Sequence, residues 1–136
     1  MGKQTGLYLG MSVSVMLSAN VLAGPAMNEG KWEITAKMEM PGMPMQMPAH
    51  TYTHCLTREN MVPRQEKPGS ECKMLNSSAS GNTVNWQMEC KSPQGKTMMD
   101  GRVTYTGDTM NGEIRMQQAG TEMIQRMSGR RLGACQ

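Results

Sequence analysis

Strict alternation of apolar and polar residues marks two segments of the chain as β-strands. Between Lys31 and Met40 every even position is apolar and every odd position is polar. The same alternation returns between Val84 and Cys90, again with the even positions apolar. A period of two is typical of a strand that buries one face and exposes the other. The pattern therefore predicts two strands, each with its even-numbered side chains in the core.

Shorter segments between turn signals complete the predicted fold. The residues from Thr51 to Leu56 are rich in β-forming types, and Cys72 to Ser77 leads into a hairpin turn at 80–82. Further turns are predicted at 93–95, 107–108 and 111–112, with a last extended segment near 123–127. Short strands separated by glycine-rich turns favour an all-β fold. We expect an antiparallel meander that forms a curved sheet, an open barrel or a sandwich.

Two segments interrupt this pattern. The residues from Arg58 to Met61 favour a single helical turn, and the stretch from Pro63 to Gly69 contains two prolines and several charges. Prolines and charges in a short run are typical of a loop on the surface. We therefore expect the second stretch to be exposed.

The start of the chain has the features of a secretory signal peptide. Lys3 gives a positive beginning, the residues from Leu7 to Leu22 are mostly apolar, and the segment ends in a small-residue cleavage site at Ala23. We expect residues 1–23 to be removed and residues 24–136 to form one domain. No stable membrane span is expected after cleavage, and the location predicted for the product is periplasmic or secreted.

The four cysteines predict two disulfides. Cys55, Cys72, Cys90 and Cys135 all follow the predicted cleavage site, and an even number of cysteines in an exported protein is typical of disulfide bonding. Their wide spacing lacks the close pairs of zinc sites. Pairing Cys55 with Cys72 and Cys90 with Cys135 is favoured, because the second bond would tie the chain end to a central strand. In the alternative, Cys72 and Cys90 lie opposite one another around a turn at Gly81.

Charge and motifs argue against nucleic-acid binding and against catalysis. The formal net charge is +3, with acidic and basic residues mixed along the chain. Such a distribution lacks the basic patch of a nucleic-acid-binding protein. No Gly-x-Ser-x-Gly motif occurs, and the cysteines are expected in disulfides rather than as nucleophiles. We therefore expect a protein that is not an enzyme.

Methionine is the unusual residue of this chain. The sequence has 18 methionines and no phenylalanine, so methionine must fill much of the core, a role that its flexible side chain suits. A methionine- and proline-rich loop at 38–50 contains Met43, Met45 and Met47. Thioether sulfur selects Cu(I) over harder ions. The prolines predict an extended backbone over residues 40–48, which would place these three methionines on one side.

Two histidines follow the loop. His50 and His54 share one face of the predicted strand with Tyr52, and Cys55 lies on the opposite face. If the Cys55 disulfide is buried, both histidines face solvent. Their separation along the strand is then too large for one ion, although His50 alone could assist the methionines.

Two hypotheses for the function remain. In the first, the protein is a non-enzymatic exported binding protein whose methionine-rich loop contacts an apolar ligand or an envelope partner protein. In the second, it binds or carries Cu(I) or Ag(I). The candidate metal ligands are Met38, Met40, Met43, Met45, Met47 and His50.

Several short motifs resemble one known family when they are taken in order. They are Gly30-Lys31-Trp32-Glu33, Met40-Pro41-Gly42-Met43-Pro44, Cys55-Leu56, Cys72, Trp86 with Cys90, and Gly129-Arg130-Arg131-Leu132-Gly133 before Cys135. This order resembles family 3617 of the domains of unknown function, small secreted proteins mostly from Gram-negative bacteria. The resemblance implies an exported β domain. It implies no reaction and no catalytic residues.

Overall fold

The computed structural model describes residue 2 and residues 24–45, 47–63 and 69–136. Apart from residue 2, the predicted signal peptide lies outside the described residues. Residues 64–68 of the predicted surface loop also lie outside them. The four cysteines and both histidines are within the described part.

The described residues form seven strands in one antiparallel, curved and unclosed sheet. The predicted all-β fold with two disulfides is therefore confirmed. The order across the sheet is β2-β1-β7-β6-β5-β4-β3, so β2 and β3 are its edges. The strands are β1 (Gly30–Glu39), β2 (His50–Leu56), β3 (Glu71–Ser80), β4 (Thr83–Ser92), β5 (Gly95–Thr106), β6 (Thr109–Gln118) and β7 (Thr121–Gly133).

The alternating segments form β1 and β4 as predicted, and their even positions face the core. Trp32 and Ile34 of β1 and Val84 and Trp86 of β4 are buried. Residues that are directly opposite in neighbouring strands point to the same side of a sheet. The strand registers therefore extend this apolar side across the whole sheet. We call it the core face and the opposite, polar side the outer face.

One end of the core face is closed by two segments that cross it, 24–29 and 57–63, and we call it the sealed end. The Trp32 and Tyr105 rings meet edge to face there, 5.8 Å between centroids. The Trp32 indole nitrogen donates to Asn28 O at 3.1 Å, and the Tyr105 hydroxyl donates to Met61 O. Burial raises the pKa of Tyr105 above its ordinary range, and Tyr52 adds to the shift. The crossing segments are thus bonded to the buried aromatic residues.

Three local predictions were wrong. Asn111 and Gly112 lie inside β6 rather than in a turn. Glycine suits this strand position because a Cβ on Gly112 would lie 2.4 Å from Val103 Cγ2. The segment at 58–61 is a hydrogen-bonded turn, closed by Asn60 N donating to Thr57 O at 3.0 Å, and not helical. Pro63 is buried under the sealed end, whereas Gly69 is exposed as expected.

The favoured disulfide pairing was also wrong. Cys72 and Cys90 are directly opposite in β3 and β4, with a Cα–Cα distance of 4.0 Å, and form one bond. The other joins Cys55 of β2 to Cys135, which follows β7. Cys55 and Cys135 meet because β1 lies between β2 and β7, so that Lys31 has Cys55 on one side and Gly133 on the other. The end of the chain is therefore tied to an edge strand, not to a central one.

Candidate functional site

The methionine-rich loop begins with a tight turn. Met43 N donates to Met40 O at 3.2 Å, closing a turn over Pro41 and Gly42, where Gly42 has a positive φ of 85°. Proline followed by glycine suits such a turn, since proline fixes a negative φ and glycine tolerates a positive one. The prediction of an extended backbone was therefore wrong at the start of the loop.

The candidate methionines divide into an exposed set and a half-buried set. The loop side chains of Met43, Met45 and Met47 are 59%, 76% and 39% exposed. Met38 and Met40 are half-buried, and Met38 packs against the core. The loop thus carries three large apolar side chains into solvent, next to two that contact the body of the protein.

The histidines lie on the core face, so the conditional prediction that both face solvent does not apply. His54 is opposite Trp32, and His50 is opposite Ala36. That prediction assumed a buried Cys55 disulfide, but Cys55 is exposed on the outer face. The His50 and His54 side chains consequently point to the same side as Met38.

The environments of the two histidines differ. His50 is exposed, and its ring centroid lies 5.6 Å from that of Tyr52. Tyr52 is half-buried, and burial raises its pKa. His54 is half-buried, with its Nε2 atom shielded from solvent. Of the two, His50 is therefore the one that a ligand at the loop can reach.

Five further methionines form a continuous line across the core face. Each is directly opposite the next in the strand register, from β3 through β7. We call this line the methionine row and the half of the core face around it the methionine end. Its members are Met74, Met88, Met99, Met116 and Met123.

Burial varies along the methionine row. Met88 and Met116 are 3% and 7% exposed, whereas Met99 and Met123 are half-buried and pack against the core. Met74, on the edge strand, is 39% exposed. The row therefore runs from solvent at the sheet edge into the core.

Sequence analysis missed the methionine row, although the sequence contains a signal for it. Met88 and Met99 are equidistant from the turn at 93–94, Met99 and Met116 from the turn at 107–108, and Met116 and Met123 from the turn at 119–120. A two-residue turn fixes which residues of a hairpin are opposite one another. The wrongly predicted turn at 111–112 broke this symmetry and concealed the row.

The outer face is polar, and several of its charged side chains form ion pairs. The Arg126 guanidinium contacts Glu39 at 3.1 Å and Glu113 at 3.0 Å, and Arg115 contacts Glu113 at 3.1 Å. The hydrogen bond that Arg126 donates to Glu39, followed by the charges of Glu39 and Glu113, raises the pKa of Arg126. A shallow depression of about 760 Å³ lies over this region. Because its charged groups contact each other, we interpret it as a solvated sheet surface.

Two features are absent from the described part of the chain. Within it there is no group of three or more His, Cys, Asp or Glu side chains that could hold a metal ion. Nor does any helix in it have the length and apolar character needed to cross a membrane. The first absence concerns His, Cys, Asp and Glu and says nothing of the thioether sulfur of methionine.

Fold and site together define a small β protein with one open sheet, two disulfides and a methionine-lined core face. The chain belongs to DUF3617, a family described as proteins of unknown function, whose sequence model matches residues 27–135. The resemblance seen in the sequence is thus confirmed. Comparisons with curated proteins and with solved structures gave no significant match.

Proposed function

We propose that this protein is an exported, non-enzymatic binding protein of the periplasm or the extracellular space. Its methionine-rich loop, which spans residues 40–49 between β1 and β2 and not the predicted 38–50, contacts an apolar ligand or an envelope partner protein. The observation that carries this proposal is the exposure of Met43, Met45 and Met47 on one short loop. Clustered exposed apolar side chains are typical of binding surfaces.

The way the loop is held supports this proposal. It connects β1 and β2, two paired strands, and Met38 anchors its first end in the core. Binding residues are often found on loops that a rigid scaffold positions. Methionine adds adaptability because its unbranched side chain fits partners of different shapes.

The disulfides support export. Cys55–Cys135 and Cys72–Cys90 account for all four cysteines, and no cysteine is free. Disulfides of this kind persist in oxidising compartments and are rare in the cytosol. The predicted signal peptide at 1–23 is consistent with the same location.

Two triple variants of the loop test the apolar contact. Met43, Met45 and Met47 are replaced together by leucine or together by serine, and the fluorescence of the dye 1-anilinonaphthalene-8-sulfonate is titrated against each protein. We expect the leucine variant to bind the dye like the unchanged protein and the serine variant to lose binding. Equal dye binding by the serine variant would overturn the proposal.

A second candidate function is binding of Cu(I) or Ag(I) by the loop. It is favoured by the position of His50, which is exposed and on the same side of the sheet as Met38. Imidazole and thioether are both ligands of copper. The leucine variant separates the two functions, because it keeps apolar contact and removes sulfur. Cu(I) binding that survives in this variant would exclude the loop as the metal site.

A further inference from the structure

We propose that the centre of the methionine row, Met99, Met116 and Met123, is a binding site for one soft monovalent metal ion, Cu(I) or Ag(I). None of these residues belongs to the loop, so the site goes beyond the proposed function. The row site needs no residue of the loop, so the two proposals can be tested separately. The inference rests on strand register, burial and the chemistry of sulfur.

Register brings the three thioethers within reach of one ion. Met116 is directly opposite Met99 on one side and Met123 on the other. Directly opposed side chains have Cβ atoms about 5 Å apart, so the outer two Cβ atoms are about 10 Å apart. Each methionine has an unbranched, flexible side chain that can lean towards the central one. The three sulfur atoms can therefore converge on one point over β6, on the core face of the sheet.

Burial at the row suits a soft ion of low charge. Met116 is buried and its two partners are half-buried, so the point of convergence is partly shielded from water while remaining open on one side. A multiply charged ion would be costly to desolvate among neutral ligands. A monovalent ion is less costly to desolvate. Gln125, a neutral polar residue, lies beside Met123 on the core face, opposite Ile114.

The donor set selects against harder metals. Sulfur from thioether is a soft ligand that suits Cu(I), whereas carboxylate and carbonyl oxygen suit Mg²⁺, Ca²⁺ and Mn²⁺. The described residues contain no cluster of His, Cys, Asp or Glu to hold those ions. A site made of thioethers alone therefore discriminates by ligand type.

Packing alone does not require this arrangement. At the sealed end methionine is mixed with other apolar residues: Met27, Met110 and Met127 are buried there together with Trp32, Ile34, Leu56, Val103 and Tyr105, and none of these three methionines is directly opposite another. At the methionine end the same residue type occurs on five adjacent strands in direct register. The concentration of one flexible, sulfur-bearing residue in one line is what points to a ligand.

The start of the loop lies near the row. β1 ends at Glu39, which is opposite Ile124, so the loop leaves the sheet next to the part of β7 that carries Met123. Met40 begins the turn that leads to the exposed Met43. The loop that carries the exposed methionines therefore begins near one end of the methionine row.

The test uses the full chain with both disulfides formed and three matched triple variants, each with methionine replaced by leucine. The row variant changes Met99, Met116 and Met123. The loop variant changes Met43, Met45 and Met47. The core control changes Met27, Met110 and Met127, which are buried at the sealed end. Exchanges of methionine for leucine keep volume and are usually tolerated in cores.

Cu(I) affinity is measured without oxygen in competition with a chromogenic chelator. We expect one ion per chain, with binding weakened about tenfold or more in the row variant and unchanged in the core control. Binding that the row variant retains, or that only the loop variant loses, would overturn the proposal. Absence of Cu(I) binding in the unchanged protein would overturn it as well.

A second measurement uses the unchanged protein and so does not depend on the folding of a variant. The methionine methyl groups are labelled with ¹³C, and their resonances are followed by NMR during titration with Ag(I). We expect the methyls of Met99, Met116 and Met123 to shift together up to one equivalent, while those of Met27 and Met110 stay in place. Shifts confined to the loop methionines would contradict the row site. Dye binding by the loop is measured in a separate experiment. The two experiments together therefore show which of the two proposals fails.

Discussion

The two ends of the core face differ in how methionine is used: at the sealed end it is mixed with aromatic and branched residues, and at the methionine end it forms the methionine row. At the sealed end Trp32 and Tyr105 meet in a fixed edge-to-face contact, and hydrogen bonds join both to the crossing segments. At the methionine end the row offers flexible side chains, several of them only half-buried. Aromatic residues in fixed geometry specify one arrangement, whereas methionine adapts to several. We infer from this difference that the sealed end is held in one arrangement, whereas the side chains at the methionine end can adapt.

Each end is also pinned by its own disulfide. Cys55 is a neighbour of Leu56 at the sealed end, and Cys72–Cys90 is adjacent to Met74 and Met88 at the methionine end. The sequence separations of the bonded cysteines are 80 and 18 residues. The longer loop restricts the unfolded chain more.

The largest expected effect comes from removing these bonds one at a time. Replacing Cys55 and Cys135 by alanine should lower the free energy of unfolding by about 4.5 kcal/mol, and replacing Cys72 and Cys90 by about 3 kcal/mol, on the loop-entropy estimate. Urea unfolding of both double variants measures the difference. The reverse order would show that local contacts, not loop length, decide how strongly each end is held.

The next effect concerns the boundary between the ends, where the Trp86 ring lies over Gly101. A Cβ at Gly101 would lie 2.1 Å from two atoms of that ring. Gly101→Ala should therefore destabilise the fold by about 1–3 kcal/mol through overpacking. The control is Gly133→Ala, where a Cβ would meet nothing within 4 Å. Urea unfolding should separate the two variants, and equal stability would argue that the ring moves aside freely.

A smaller effect should appear at alkaline pH and only at the sealed end. The folded state raises the pKa of Tyr105 above 10.0, so it binds the hydroxyl proton more tightly than the unfolded state does. The stabilisation is complete below about pH 10 and is lost as pH rises towards the folded pKa. Tyr105→Phe should remove this pH dependence and cost about 0.5–1.5 kcal/mol at neutral pH, because Met61 O loses its donor.

Unfolding of both proteins by urea at about pH 8 and about pH 11 measures that difference. Other groups titrate in the same range and are common to both proteins, so only the difference between them reports Tyr105. An equal loss of stability in the two proteins would mean that the hydroxyl proton is not held by the fold.

The smallest effect on stability should follow oxidation of the loop. With limiting peroxide, Met43 and Met45 should form sulfoxides before Met27 and Met110, which are 2% and 1% exposed. Because the loop side chains are in solvent, their oxidation should change the free energy of unfolding by less than about 0.5 kcal/mol. Peptide mass spectrometry gives the order of modification. Early oxidation of Met110 would show that the sealed end opens readily.

The parts of the fold that depend on local pattern could be predicted from the sequence. Alternation alone placed β1 and β4 and the buried faces of both. The face of His50 and His54 could not be predicted, because β2 follows a ten-residue connection, 40–49, that fixes no register by itself. The cysteine pairing failed for a related reason. It depends on β7 returning beside β1, which is a long-range contact.

The candidate site was predicted in part. The loop methionines are exposed, and their composition already suggested a binding surface. The methionine row spans five strands and needs four correct turns in succession, and one false turn at 111–112 moved every later residue out of register. The turn at 111–112 was predicted because glycine, here Gly112, is a common turn residue. Here it lies within a strand, where a Cβ would meet Val103.

The bond between Cys55 and Cys135 turns most of the chain into a covalent ring. Five of the seven strands, β3 to β7, lie between these two residues. A protease that cuts the backbone once inside the ring leaves both fragments joined. They separate only when the disulfide is reduced. A single cut in a surface turn therefore leaves the two parts of the chain covalently joined.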